Sequence, residues 1–212
     1  MTLKTKKFES SSSSSSSVGK KRALLIGLRY DQPQMIYTWD DCLEVEQFLI
    51  EKFNFPRENI DRQLDLRIFD NEDDKLTNIT LEYKIKTFLE ETKSGDVSIL
   101  FVSGHGGNPK SEEGPGLIAA VDYQVLEVND LIVHVKELPK DTKFLFIIDA
   151  CFRANFMKLF SENVVMMLSS KETEESKGSI WYGSHSTNAF LHCVVRDSET
   201  TLEELLELIK IN

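Results

Sequence analysis

A chain of 212 residues, 41% of them hydrophobic and 28% charged, is long enough for one core of ordinary domain size without disulfides or a structural metal. Its 35 acidic against 25 basic residues give a net charge of −10, which argues against nucleic acid and anionic membrane as partners, because affinity for phosphate rests on Lys and Arg. No apolar run approaches the roughly 18 residues of a membrane span, and the basic N-terminus leads into serines instead of an apolar stretch, so neither a membrane anchor nor a secretory signal is expected. Cys42, Cys151 and Cys193 form no even framework and no zinc-ligand spacing, as expected for a reduced, cytoplasmic protein.

Residues 1–19, a few lysines followed by Ser10 through Ser17, cannot repay their ordering entropy and are expected to be a disordered tail; the folded domain is expected over 20–212. The apolar run 22–28 reads as a buried strand, closed by the loop Arg29-Tyr-Asp-Gln-Pro33. From Asp40 onward, Leu43, Val45, Phe48, Leu49 and Phe53 recur at helical spacing up to Asn54-Phe-Pro56. A short strand is predicted over 65–69, a helix over 80–92 and a buried strand over 97–102. Residues 117–121 and 125–128 read as strands around a turn at Asp122, and 129–137 as a helix capped by Asn129. Strands follow over 143–149 and 164–168, then a polar loop over 169–178 and helices over 188–195 and 201–210. Strands alternating with helices predict an α/β domain, a mostly parallel sheet with helices on both faces.

Ligands of open parallel sheets bind at the carboxyl ends of the strands, and two apolar strands here end in reactive residues. One runs into Ser103-Gly-His-Gly-Gly107 and the other into Asp149-Ala-Cys151. Thiol catalysis needs a nucleophilic sulfur, an imidazole to move its proton and backbone N–H groups facing the oxyanion. Cys151 and His105 supply the first two. Gly106, with no side chain to shield its amide, pairs with the amide of Cys151 as the oxyanion donors. Each motif alone also fits a bland reading, Cys151 as core filler and the glycines as a turn. A phosphate loop is disfavoured, since no Lys-Ser/Thr follows the glycines and no GxGxxG is present.

Together, Lys21-Arg-Ala-Leu-Leu-Ile-Gly27, Asp40-Asp41, Phe101-Val-Ser-Gly-His-Gly-Gly107 and Phe146-Ile-Ile-Asp-Ala-Cys151 resemble, in that order, the caspase-like cysteine peptidases, and among them most of all the metacaspases. The interval from His105 to Cys151 agrees with the roughly 50 residues that separate this pair in caspases. The resemblance implies a caspase-like fold with residues 20–168 as a large-subunit-like part, 169–178 as a processing loop and 179–212 as a short small-subunit-like part. It implies a cysteine endopeptidase in which His105 and Cys151 form the dyad. It also implies cleavage after Arg or Lys, with Asp41, Ser103 and Asp149 lining the specificity pocket. Two carboxylates in a cleft suit a cationic side chain, although an Asp near the start of a helix also reads as its cap. A zymogen that cuts itself in the processing loop would do so after Lys171 or Lys177, both set among glutamates.

Metacaspases usually carry calcium-binding aspartates after the His loop, whereas this chain has Ser111-Glu-Glu-Gly-Pro-Gly116 there and Lys158 where a further Asp is expected. No metal and no cofactor are therefore expected, calcium activation remaining an implication of the family alone. Phe152-Arg-Ala154 replaces the family's His-Ser-Gly, and the chain stops soon after Lys210. These departures keep a second function open, a weak or inactive homologue acting as a regulatory or interaction module, with another α/β enzyme or nucleotide binder behind it. The expected partners are polypeptides with basic residues; nothing in the residues sets the oligomeric state.

Overall fold

The computed structural model describes residues 19–65, 75–106, 116–150, 162–168, 178–179, 183–184, 187–191 and 204. Strands β1 (Lys21–Gly27), β2 (Ile60–Leu64), β3 (Val97–Ser103), β6 (Lys143–Asp149) and β7 (Val164–Leu168) form one parallel sheet in the order β2-β1-β3-β6-β7. The hairpin of β4 (Gly116–Ala119) and β5 (Val125–Glu127) stands apart, as does the short antiparallel pair β8 (Gly178–Ser179) and β9 (Gly183–Ser184).

The central strands are buried on both faces, and side chains alternate between them at period two. Leu24 and Ile26 of β1, Leu100 and Val102 of β3, and Phe144, Phe146 and Ile148 of β6 share a core with Leu81, Ile85 and Phe88 of α2 (Asn78–Glu90) and Leu131 of α3 (Val128–Lys136). The residues between them, Ala23, Leu25, Ile99, Phe101, Leu145 and Ile147, meet Cys42, Val45, Phe48 and Leu49 of α1 (Tyr37–Phe53), with Phe190 and Leu191 of the helical residues 187–191 packed alongside. The sheet therefore carries helices on both faces, as the alternation of elements predicts.

Three local expectations change. Helix α1 begins at Tyr37, ahead of Asp40, which puts Asp41 inside the helix and not at its cap. A strand not expected runs over Ile60–Leu64, pairing with β1 from Ala23↔Ile60 to Gly27↔Leu64; of the strand expected over 65–69, residue 65 is not in a strand and 66–69 fall outside the described residues. Asp65 follows β2, and its carboxylate accepts the N–H groups of Arg29 and Tyr30 in the loop after β1. Helix α3 is capped by Glu127, not Asn129: the Asp130 carboxylate accepts the Glu127 N–H at 3.0 Å. The tail over 1–18, the loop residues 169–177, and 192–195 and most of 201–210 in the closing helices lie outside the described residues. Among the described residues, no helix is long and apolar enough to cross a membrane.

Candidate active site

In the order β2-β1-β3-β6-β7 the chain works outward in one direction from β1 and in the other from β3, so a crevice opens at the carboxyl ends of these two strands. The loops leaving β1 and β3 meet there, through Tyr30 and His105. Register fixes their relation: Gly27 pairs with Ser103 and Ser103 with Asp149. The Leu28 N–H donates to the Ser103 carbonyl at 3.0 Å, and the Gly104 N–H to the Asp149 carbonyl at 3.1 Å. His105 thus stands two residues beyond the Ser103–Asp149 pair, at the level where β6 also ends. Cys151 follows the buried Ala150 and itself lies outside the described residues, as do Lys171 and Lys177.

His105 is half-buried. Its N–H donates to the Tyr30 phenol at 2.7 Å, its carbonyl accepts the Ala119 N–H at 3.0 Å, and its ring lies 4.6 Å from the Tyr30 ring, tilted by 35°. Nε2 makes a long contact of 3.4 Å with the Gln32 side-chain oxygen, an acceptor that favours a proton on Nε2 and a lone pair on Nδ1. Burial pushes the imidazole below its ordinary pKa, toward the neutral form. Gly106 follows, half-buried at the lip of the crevice.

The three residues expected to line a basic pocket come together. Asp41 is fully buried on α1; its Oδ2 accepts from the Ser103 hydroxyl at 2.8 Å and its Oδ1 from the Ser184 N–H at 2.9 Å. Asp149, 5% exposed, accepts from the Ser184 hydroxyl, from the Thr187 hydroxyl at 2.6 Å and from the Thr187 N–H at 3.1 Å. Burial raises the Asp41 carboxyl to about 7 against the opposing pull of its two hydrogen bonds, and the charge of Asp149 adds to the rise. Ser184 therefore bridges two carboxylates that already repel one another.

Tyr30, Gln32, Asp65, Ser184 and Thr187 are the residues of this site that sequence reasoning missed. Ser184 and Thr187 lie in a run of small polar residues before a helix, a pattern that ordinarily signals only a cap, and their partner Asp149 is far away in the chain. Among the described residues, no three His, Cys, Asp or Glu side chains converge in the way a metal ion requires. Ser111, Glu112, Glu113 and Lys158 lie outside the described residues. A groove of roughly 620 Å³ lined by Arg22, Tyr83 and Lys84 sits at the amino end of β1, far from His105.

The family model described as metacaspase, peptidase C14 domain, matches residues 21–160. Metacaspase-6 of Arabidopsis thaliana is 25% identical over 199 residues, a stretch covering 90% of this chain and 52% of that protein. Metacaspase-7 of the same plant is 24% identical over 168 residues, covering 75% and 41%. The chain spans about half the length of the curated relatives it matches. Among solved structures, caspase-1 of Spodoptera frugiperda superposes with a TM-score of 0.58 at 13% identity, covering 84% of this chain and 70% of that one. A Geobacter sulfurreducens protein superposes with a TM-score of 0.59 at 14% identity, covering 84% and 82%. At such identities these two structures speak for the fold alone, and the fold is caspase-like. With the family model running from β1 through both loaded strand ends, the chain belongs to the metacaspase family of C14 peptidase domains.

Proposed function

We propose that the chain is a cysteine endopeptidase in which Cys151 is the nucleophile and His105 the base, cutting after Arg or Lys. The observation that carries this reading is the junction of β3 and β6, where the Gly104 N–H binds the Asp149 carbonyl, one residue before His105 and two before Cys151 in the sequence. In this reaction the Cys151 Sγ attacks the scissile carbonyl carbon while its proton passes to Nδ1 of His105, the nitrogen left open by the Gln32 contact. The oxyanion is met by the N–H groups of Gly106 and Cys151. Collapse breaks the C–N bond, the imidazolium protonates the leaving amine, and water activated by the same imidazole hydrolyses the thioester. A neutral His105, favoured by its burial, suits the first proton transfer.

Preference for a cationic side chain is supported by Asp41 and Asp149, two carboxylates held within one hydrogen-bonded cluster. A guanidinium would replace the hydroxyl donors and draw Asp41 into its ionised form. The same closed cluster favours the second reading, a regulatory homologue, because in this arrangement Ser184 and Thr187 already serve the carboxylates a substrate would need. An Arg-directed covalent thiol probe separates the two. Labelling of the wild type that disappears in Cys151→Ala supports the peptidase; absence of labelling in a folded wild type supports the regulatory module.

A further inference from the structure

We propose that Tyr30 is a positioning residue that holds the imidazole of His105 from behind. The inference rests on the reading of His105 as the base, and the geometry around Tyr30 carries it. After β1, Tyr30 and Asp31 adopt φ values of 60° and 56°, a left-handed conformation that residues with a Cβ adopt when their surroundings hold it. Asp65, at the end of β2, supplies that hold: its Oδ2 accepts the N–H groups of Arg29 at 2.9 Å and Tyr30 at 2.8 Å, and its own N–H donates to the Gly27 carbonyl at 3.2 Å. The turn sends the Tyr30 side chain inward, where it is 1% exposed.

There the ring lies against the His105 imidazole, and the phenol accepts the His105 N–H at 2.7 Å while donating to the Ala119 carbonyl at 2.7 Å. Ala119 returns its N–H to the His105 carbonyl at 3.0 Å. Both peptide groups of His105 are thus tied to one cluster, and burial keeps the phenol neutral by raising it well above the ordinary tyrosine range. Gly104 belongs to the same device: a Cβ there would stand 2.6 Å from the Tyr30 hydroxyl and 3.1 Å from the Leu28 Cβ, so the residue before the histidine has to leave room for the phenol. A tyrosine that only filled the core would need neither the strained turn nor the hydrogen bond to the base.

The test compares Tyr30→Phe and Tyr30→Leu, following His105 by NMR in a Cys151→Ala background and peptide turnover in the Cys151 protein. In Tyr30→Leu the titration midpoint of the imidazole should move up toward its ordinary value, since the ring that keeps water away is gone, and kcat should fall about tenfold or more with KM within about twofold. Tyr30→Phe should restore the imidazole midpoint but shift the His105 amide resonance, which loses its acceptor. An unmoved imidazole in folded Tyr30→Leu, or an unmoved His105 amide in Tyr30→Phe, would overturn the proposal; the second variant decides it if the first does not fold. Because the resonances do not depend on turnover, a wild type that cleaves no Arg peptide would count against the peptidase reading separately.

Discussion

Asp41 shows how one buried side chain can link stability to pH. Its carboxyl titrates near 7 in the folded chain and near 3.8 when unfolded, so between these values the folded state binds the extra proton. The contribution of Asp41 to stability is therefore fully present below pH ~4 and is lost as pH rises toward ~7, at up to about 1.4 kcal/mol per pH unit. Chemical denaturation of wild type and Asp41→Asn at pH 5 and pH 8 should show the wild type losing stability relative to the variant at the higher pH; a constant difference would contradict the burial argument. Asp149 calls for a different substitution. It accepts three hydrogen bonds from Ser184 and Thr187, so truncation to Ala would strand buried donors at about 1–3 kcal/mol each and confuse folding with specificity. Asp149→Asn keeps an acceptor and removes the charge. It should raise KM for Arg peptides by about tenfold or more while leaving the melting temperature within a few degrees, as peptide kinetics beside thermal unfolding will show.

At the scale of elements, α1 presents Asp41 to the crevice only because its other end is anchored. Asn54 ends the helix at φ 54° and ψ 45°, which lets its N–H reach the Ile50 carbonyl at 3.2 Å and the Phe55 N–H reach the Leu49 carbonyl at 3.1 Å. Phe55 then enters the same core as Phe48 and Phe53. A left-handed residue with a Cβ and no local hydrogen-bonding side chain costs about 1–2 kcal/mol. Asn54→Ala should therefore destabilise the fold by about 1 kcal/mol in urea denaturation, and Asn54→Gly should leave it unchanged or slightly more stable. Equal losses in both would mean that the Asn side chain, and not the backbone angle, secures the cap. The sequence marked this helix end through Asn54-Phe-Pro56, whereas the start of α1 was hidden because its cap position is taken by Ile36, which has no side chain to cap with.

For the whole molecule, the question is whether the assembled domain works as a single chain and without metal. The stretch 169–177 places Lys171 and Lys177 among Glu172, Glu174 and Glu175, and an enzyme selective for basic residues meets its own target bonds there. Incubated wild type should acquire new termini after Lys171 or Lys177 that are absent from Cys151→Ala, as mass spectrometry will show; identical termini in both would exclude self-processing. Turnover should persist in a calcium chelator, because the carboxylates expected by family analogy are replaced at Lys158 and thinned around Glu112 and Glu113. A steep rise in rate on adding calcium would show a hard-cation site built from other oxygens.

The order of elements, the two-sided burial of β3 and β6 and the place of His105 just beyond the end of β3 were legible in the residues themselves. Apolar alternation at period two and Gly-His-Gly or Asp-Ala-Cys at the end of an apolar run are local patterns, and local patterns survive translation into one dimension. Ser103 and Asp149 were named through the resemblance to the metacaspases, which rests on the same local runs. What only the tertiary structure decided are the contacts between segments far apart in the chain: Ser184 bridging Asp41 and Asp149, Asp65 clamping the loop after β1, and Tyr30 reaching His105. A buried carboxylate demands donors, but its own sequence neighbourhood does not say which segment will supply them. That choice is made when the strands pair in register and the loops are brought to the same end of the sheet.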